Sequence, residues 1–269
     1  MKIKAVHSHV LQYDLKEELG YSQQYYQKRT GHLVEVVTDE GITGWGECFG
    51  PGNVAIANKV IVERVIQPMI LGEDPLNRDV LWHKVYNLLR DHGQKGMPIQ
   101  ALSGVDIALW DILGKVTGLS ISRLIGGRFR EQVPVYGYGM MLRREKLPAL
   151  MDRFEDEAAA IKSAGFVATK MKVGLGPKQD VHLAESVRRG VGDDFLFMVD
   201  ANHCYTVDQA LFVGRALEEL DAYWFEEPVA PEDLDGYREL RSQLKINIAG
   251  GEAEFTRWGW RDLLEKRCL

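Results

Sequence analysis

Cysteine is scarce in this chain, and the three present, Cys48, Cys204 and Cys268, form no C-x-x-C pair. Neither a disulfide framework nor a thiolate zinc or redox site is expected from so few, so scattered. No apolar run approaches the roughly 18 residues that a membrane span requires, and Met1 to Glu18 alternates polar with apolar residues where a secretory leader needs an apolar block. A cytoplasmic protein without a membrane partner is expected. An excess of basic charge is missing too: 33 Lys and Arg stand against 39 Asp and Glu, a net charge of -6, which removes the basic face that a phosphate backbone would need. Nucleic acid is not expected as a partner. What remains is an ordinary globular balance, 45% hydrophobic and 27% charged, which argues against a disordered or fibrous chain.

Two stretches of different character follow. Residues 1–125 read as a small α+β unit. Lys2 to Tyr13 alternates in strand fashion, and His32 to Thr38 and Ile42 to Glu47 flank Asp39-Glu40-Gly41, a hairpin turn signal. Helical periods occupy Val54 to Ile70, Asp79 to Arg90 and Gln100 to Val116, with Pro68, Pro75 and Pro98 as punctuation. Lys16 to Arg29 is polar and without clear period, so a long loop is expected there, and Tyr21 within it is a candidate for contact with a polar ligand. From residue 126 onward the chain alternates strands and helices. Apolar runs at Val133 to Leu142, Val167 to Val173, Phe195 to Val199, Tyr223 to Phe225 and Ile246 to Ala249 are followed by helical stretches such as Leu147 to Ala164 and Val207 to Leu220. Repeated βα units imply a parallel sheet, and their near-constant period favours a TIM-type (β/α) barrel.

The polar residues fall at the strand ends. Asp200 follows Phe195-Leu196-Phe197-Met198-Val199, Glu226 follows Tyr223-Trp224-Phe225, and Glu252 follows Ile246 to Gly251, with one interval of 26 residues separating each from the next. A carboxylate at the same point of three successive βα units lies at the C-terminal mouth of the strands. Three such groups in one pocket repel unless a cation intervenes, and an all-oxygen set suits Mg²⁺ better than zinc. An isolated acid after a strand more often caps the next helix; three in register point to metal. One unit earlier, Lys170 and Lys172 share a face of their strand by period two. Two adjacent buried lysines lower each other's pKa, so one of them is expected to accept a proton near neutral pH. Asn202 shares the face of Asp200 and is a candidate for orienting substrate, as is His92 in the Gly-rich stretch Arg90 to Gly96.

In their order, Lys170-Met171-Lys172, Val199-Asp200-Ala201-Asn202, Phe225-Glu226-Glu227-Pro228 and Gly250-Gly251-Glu252, with the helix Ala101 to Asp111, resemble the mandelate racemase and muconate lactonizing enzyme branch of the enolase superfamily. Trp45-Gly46-Glu47-Cys48, Arg90-Asp91-His92-Gly93-Gln94 and Trp224-Phe225-Glu226-Glu227-Pro228-Val229 resemble the acid-sugar dehydratases and lactone cycloisomerases within it. The resemblance implies an α+β capping domain over residues 1–125, carrying substrate-specificity loops that include Tyr21 and Glu47, and a barrel domain over residues 126–269. It also implies Mg²⁺ on Asp200, Glu226 and Glu252, Lys172 as the base and Lys170 beside it. The chemistry it implies is removal of the proton alpha to a carboxylate, followed by β-elimination from an acid sugar or its lactone. The same proton abstraction in a racemase or epimerase of a 2-hydroxy acid is the alternative. The partners implied are a small carboxylate substrate and further copies of the chain. One departure stands out. Val133 to Leu269 is little more than half of the about 250 residues of an eight-unit barrel, and only five strands can be counted. The expectation is an incomplete barrel of about five βα units, and with it a truncated, inactive metal-binding relative as a third possibility.

Overall fold

Alternation along the first residues produces a long hairpin and no loop. In the computed structural model, which describes residues 1–269, β1 spans Ile3–Tyr21 and β2 spans Gln24–Thr38, with only Ser22 and Gln23 at the turn. The polar loop expected over Lys16 to Arg29 is therefore the hairpin's outer half. Apart from Gly20, its residues are exposed or half-buried, so hydrophobic alternation had nothing to register there, while Tyr21, Tyr25, Tyr26 and Thr30 supply the β propensity. β3, Thr43–Cys48, completes a sheet of order β1-β2-β3, and the Asp39 to Gly41 turn forms as expected, Gly41 supplying its positive φ of 81°.

Two units partition the chain: residues 1–15 with 28–131, and residues 16–27 with 132–269. In the first, α1 (Asn53–Val60), a π-helical turn (Ile61–Ile66) and α2 (Gln67–Ile70) replace the single helix expected over Val54 to Ile70. Pro68 lies just beyond the widened turn and has no N–H for the carbonyl four residues earlier. Gln67 and Glu63 accept the backbone N–H groups of Val6 and Ser8 on β1, covering that edge strand without another strand. α3 (Arg78–Leu89), α4 (Met97–Thr117) and the short α5 (Ile121–Leu124) follow. The buried side of α4, Ala101, Leu102, Val105, Ala108, Leu109 and Ile112, repeats at three- and four-residue spacing. It closes on β3 because Gly44, Gly46 and Gly104 have no side chains to hold the two apart: a Cβ at Gly46 would lie 2.0 Å from the Gly104 carbonyl oxygen.

The second unit is the βα repeat. β4 (Gly137–Tyr138), α6 (Leu147–Ser163), β5 (Ala168–Lys172), α7 (Pro177–Val191), β6 (Leu196–Asp200), α8 (Val207–Glu219), β7 (Trp224–Glu226), α9 (Leu234–Gln243), β8 (Asn247–Ala249) and α10 (Thr256–Glu265) alternate in strict order. The strand expected over Val133 to Leu142 contributes only Gly137 and Tyr138 to the sheet, and Leu142 instead bridges Gly20. Thr206 starts α8 with a reciprocal capping box to Gln209, and Asp233 caps α9. Strands β4 to β8 form one parallel sheet in sequence order, with β4 and β8 as its edges. The sheet is open and does not close into a barrel. Met171, Phe197, Val199, Phe225 and Ile248 point to the helix side and meet Leu150, Phe154, Leu183, Val187, Val213 and Leu217 in one core. The alternate positions, Lys170, Lys172, Met198, Asp200, Trp224 and Glu226, therefore share the other face. No helix in the chain is long and apolar enough to cross a membrane.

Candidate active site

Register builds the site. Lys172 on β5 pairs with Asp200 on β6, Asp200 with Glu226 on β7, and Glu226 with Ala249 on β8. Three charged side chains thus stand in one row across three strands. Glu252 is not the fourth member of that row, as its interval of 26 residues suggested. β8 ends at Ala249, and Glu252 reaches the cluster from the following turn, which bends at Gly251 with φ 108°. One carboxylate oxygen from each of Asp200, Glu226 and Glu252 nevertheless lies within 4.8 Å of the other two. Asp200 is fully buried, Glu226 is half-buried and Glu252 is exposed, so the cluster is anchored inside and open at one end. Three carboxylate oxygens at this spacing, open to entry from one side, fit a hard divalent cation.

The lysines fill the space between the acids. Lys170 Nζ donates to both Glu226 oxygens, at 2.7 and 2.9 Å, and stands 3.2 Å from Asp200 Oδ2. Lys172 Nζ donates to Asp200 Oδ2 at 2.5 Å and to Asn202 Oδ1 at 2.7 Å. The expectation that mutual repulsion would lower a lysine's pKa does not hold for Lys170. Burial disfavours its charge, but Asp200 and Glu226 outweigh burial and the pKa is raised. Carboxylates surround Lys170, so its ammonium faces opposite charge before it faces the other lysine. Burial and Asp200 raise the pKa of Glu226, against the ammonium of Lys170 and the Trp224 indole N–H, which donates to Glu226 Oε2 at 2.9 Å.

Asn202 links three groups of the cluster. Its backbone N–H donates to Asp200 Oδ1 at 3.0 Å, its amide oxygen accepts from Lys172, and its amide nitrogen lies 3.4 Å from Glu252 Oε1. It does this from a left-handed backbone, φ 42°, as do His203 at 56° and Glu227 at 44°. Non-glycine residues held in this region cluster where surrounding structure fixes a functional turn. Glu227, which strand alternation would send to the far side, is buried, and its Oε2 has no hydrogen-bond partner. Burial and the nearby Glu252, Asp200 and Glu226 push its pKa up to about 7.

Tyr21 belongs to the same unit, its ring 6.0 Å from Lys172 Nζ. Sequence reasoning missed three aromatics beside it. Tyr138 lies 5.9 Å from both ammonium groups, Tyr136 lies 5.8 Å from Lys170 and packs edge-on against Trp224. The signal for the two tyrosines was the run Tyr136-Gly137-Tyr138 leading into β4, whose period of two puts both rings on one side. Glu47 and His92 are exposed residues of the first unit.

A parallel βα sheet whose C-terminal strand ends converge carboxylates and lysines on one face, preceded in sequence by an α+β region, defines a class of cation-using enzyme fold. The chain belongs to the mandelate racemase and muconate lactonizing enzyme family of the enolase superfamily. The family's N-terminal domain signature matches residues 16–126, and the enolase C-terminal domain-like signature matches residues 153–269. D-galactarolactone cycloisomerase from Agrobacterium fabrum is 41% identical over 98% of this chain and 68% of its own length. Arabinonate dehydratase from Saccharolobus solfataricus is 36% identical over 87% of this chain and 62% of its own length. A racemase from Streptomyces coelicolor A3(2), solved with bound magnesium, superposes with a TM-score of 0.92 at 30% identity, over 99% of this chain and 74% of that one. The chain thus spans roughly two thirds to three quarters of the length of these relatives.

Proposed function

We propose that this protein is a Mg²⁺-dependent enzyme that removes the proton alpha to the carboxylate of an acid sugar or its lactone and then expels the oxygen β to it. The observation that carries this reading is the convergence of Asp200, Glu226 and Glu252 within 4.8 Å on the face shared with Lys170 and Lys172. A proton beside a carboxylate is weakly acidic because its removal leaves an enediolate with two negative charges on neighbouring oxygens. A divalent cation held by the three carboxylates would supply the positive charge that stabilises that dianion. Lys172, as the neutral amine, takes the proton at the α carbon and leaves the step as an ammonium. Lys170 adds a second fixed positive charge, and Asn202 fixes the direction of the Lys172 amine. Tyr21, Tyr136 and Tyr138 wall this face with rings and hydroxyls. Polar walls suit a polyhydroxy acid, each hydroxyl of which needs a partner once water is excluded. Such an acid nearly always carries an oxygen β to its carboxylate-bearing carbon, so elimination to a 2-keto-3-deoxy product follows.

The similarity to a racemase supports a second reading, in which the same abstraction is followed by return of the proton to the opposite face. The open five-stranded sheet supports a third, a metal-binding chain without turnover. Incubation with Mg²⁺ in D₂O against hexarates, aldonates and their lactones separates the three. Loss of the α-proton signal with accumulation of semicarbazide-reactive keto acid supports elimination. Deuterium incorporation with loss of optical rotation alone supports racemisation, and cation binding with no exchange supports the third. Lys172→Met should slow α-proton exchange by about 10²- to 10⁴-fold with cation binding retained; exchange at the wild-type rate removes Lys172 from the role.

A further inference from the structure

The tip of the β1–β2 hairpin is tied to the strand-end turns that bear the site. Ser22 Oγ donates to the carbonyl oxygens of Ala201, at 2.8 Å, and Asn202, at 3.0 Å, and Gln23 Nε2 donates to the same Asn202 carbonyl at 3.0 Å. On its other side the tip abuts Gly174, in the turn after β5. A Cβ at Gly174 would lie 2.4 Å from Ser22 Cβ, so glycine is what lets Ser22 come this close. Gly174 is held in turn, its N–H donating to Asp180 Oδ1 at 3.0 Å, and Asp180 also takes the N–H groups of Leu175 and Gly176 and the Tyr205 hydroxyl. The hairpin tip is therefore seated between two turns, one two residues after Lys172 and the other two residues after Asp200.

Gln23 is exposed and Ser22 half-buried, so neither contributes to a core, yet between them they satisfy one carbonyl twice. That carbonyl belongs to Asn202, whose left-handed backbone aims one amide at both Lys172 and Glu252. We propose that Ser22 and Gln23 are positioning residues: by gripping the Asn202 carbonyl they hold the turn from which the Asn202 amide orients Lys172 and Glu252. This rests on reading Asp200, Glu226 and Glu252 as a cation site, and it makes the affinity of that site depend on two residues with no contact to the cation.

Calorimetric titration of the full chain with Mn²⁺ tests it. Ser22→Ala combined with Gln23→Ala should weaken Mn²⁺ binding about tenfold, the low end of the range for groups that orient metal ligands, and Ser22→Ala alone by about threefold. The decisive comparison uses Asn202→Gly, because glycine adopts the left-handed conformation freely and only the amide is lost. In that background the Ser22 and Gln23 changes should have no further effect, since the route through the amide is gone. Glu18→Ala, which removes the exposed 2.7 Å pair with Arg144 elsewhere on the hairpin, should leave affinity unchanged. Thermal unfolding of each variant establishes that it is folded before titration. Wild-type affinity in the double variant overturns the proposal, as does an equal loss with and without the Asn202 amide, which would mean general loosening. No Mn²⁺ binding by the wild-type chain overturns the cation reading itself.

Discussion

Glu252 illustrates how far single residues could be read. Its identity as a candidate ligand came from a regular interval, and the structure brings its carboxylate to the cluster, but from a turn that Gly251 makes possible rather than from the strand. Spacing reports which loop a residue is on; it does not report how that loop folds back. The same limit hid Glu227, whose side chain direction is set by a φ of 44° that no alternation rule anticipates. Buried residues without partners were equally illegible. His32 is fully buried with neither ring nitrogen hydrogen-bonded. Burial lowers its pKa, Lys59 and His9 add to that, and Glu63 opposes it. A folded-state pKa below the unfolded value of about 6.5 means that the folded protein resists the proton. Its contribution to stability is complete above about 6.5 and is lost as pH falls through that value toward the folded pKa. Thermal unfolding at pH 7.5 and pH 5 should show a smaller drop in Tm for His32→Leu than for the wild type. Equal drops would show that His32 is already satisfied in the folded state.

Among elements, those with one buried face were legible and those without were not. The βα repeat announced itself because each strand carries apolar residues toward the helices, and α4 because its apolar residues recur at helical spacing. The outer half of the β1–β2 hairpin has no buried face, and the residues between Val133 and Gly137 are apolar yet exposed, so the pattern of the one resembles a loop and that of the other a strand. Packing between elements leads to two predictions. Phe154 on α6 is fully buried in the core under the sheet, and Phe154→Ala should cost about 3–5 kcal/mol in urea unfolding. Gly46→Ala places a Cβ against the α4 backbone, which has no side chain to move aside, and should cost about 3 kcal/mol. A loss below 1 kcal/mol at Gly46 would mean that α4 and β3 can separate without penalty.

The molecule as a whole combines a parallel sheet that is open at β4 and β8 with a site whose lysines offset only part of the charge of its acids. Open edges of a parallel sheet invite pairing, and Val133, Val135, Val167 and Leu196 are exposed apolar residues around it. Sedimentation should therefore show mass rising with concentration over the micromolar range, whereas a strict monomer throughout would show that the edges are protected. Internally, Lys170 and Lys172 stand in for the positive charge that the three acids demand, and a divalent ion must compete with them for Asp200 and Glu226. The direct test is a crystal structure of the wild-type chain grown with Mg²⁺. One ion within about 2.0–2.1 Å of an oxygen from each of Asp200, Glu226 and Glu252, with Lys170 drawn away from Glu226, is the result predicted. An intact Lys170–Glu226 pair at saturating Mg²⁺, with the ion bound elsewhere or not at all, would contradict it.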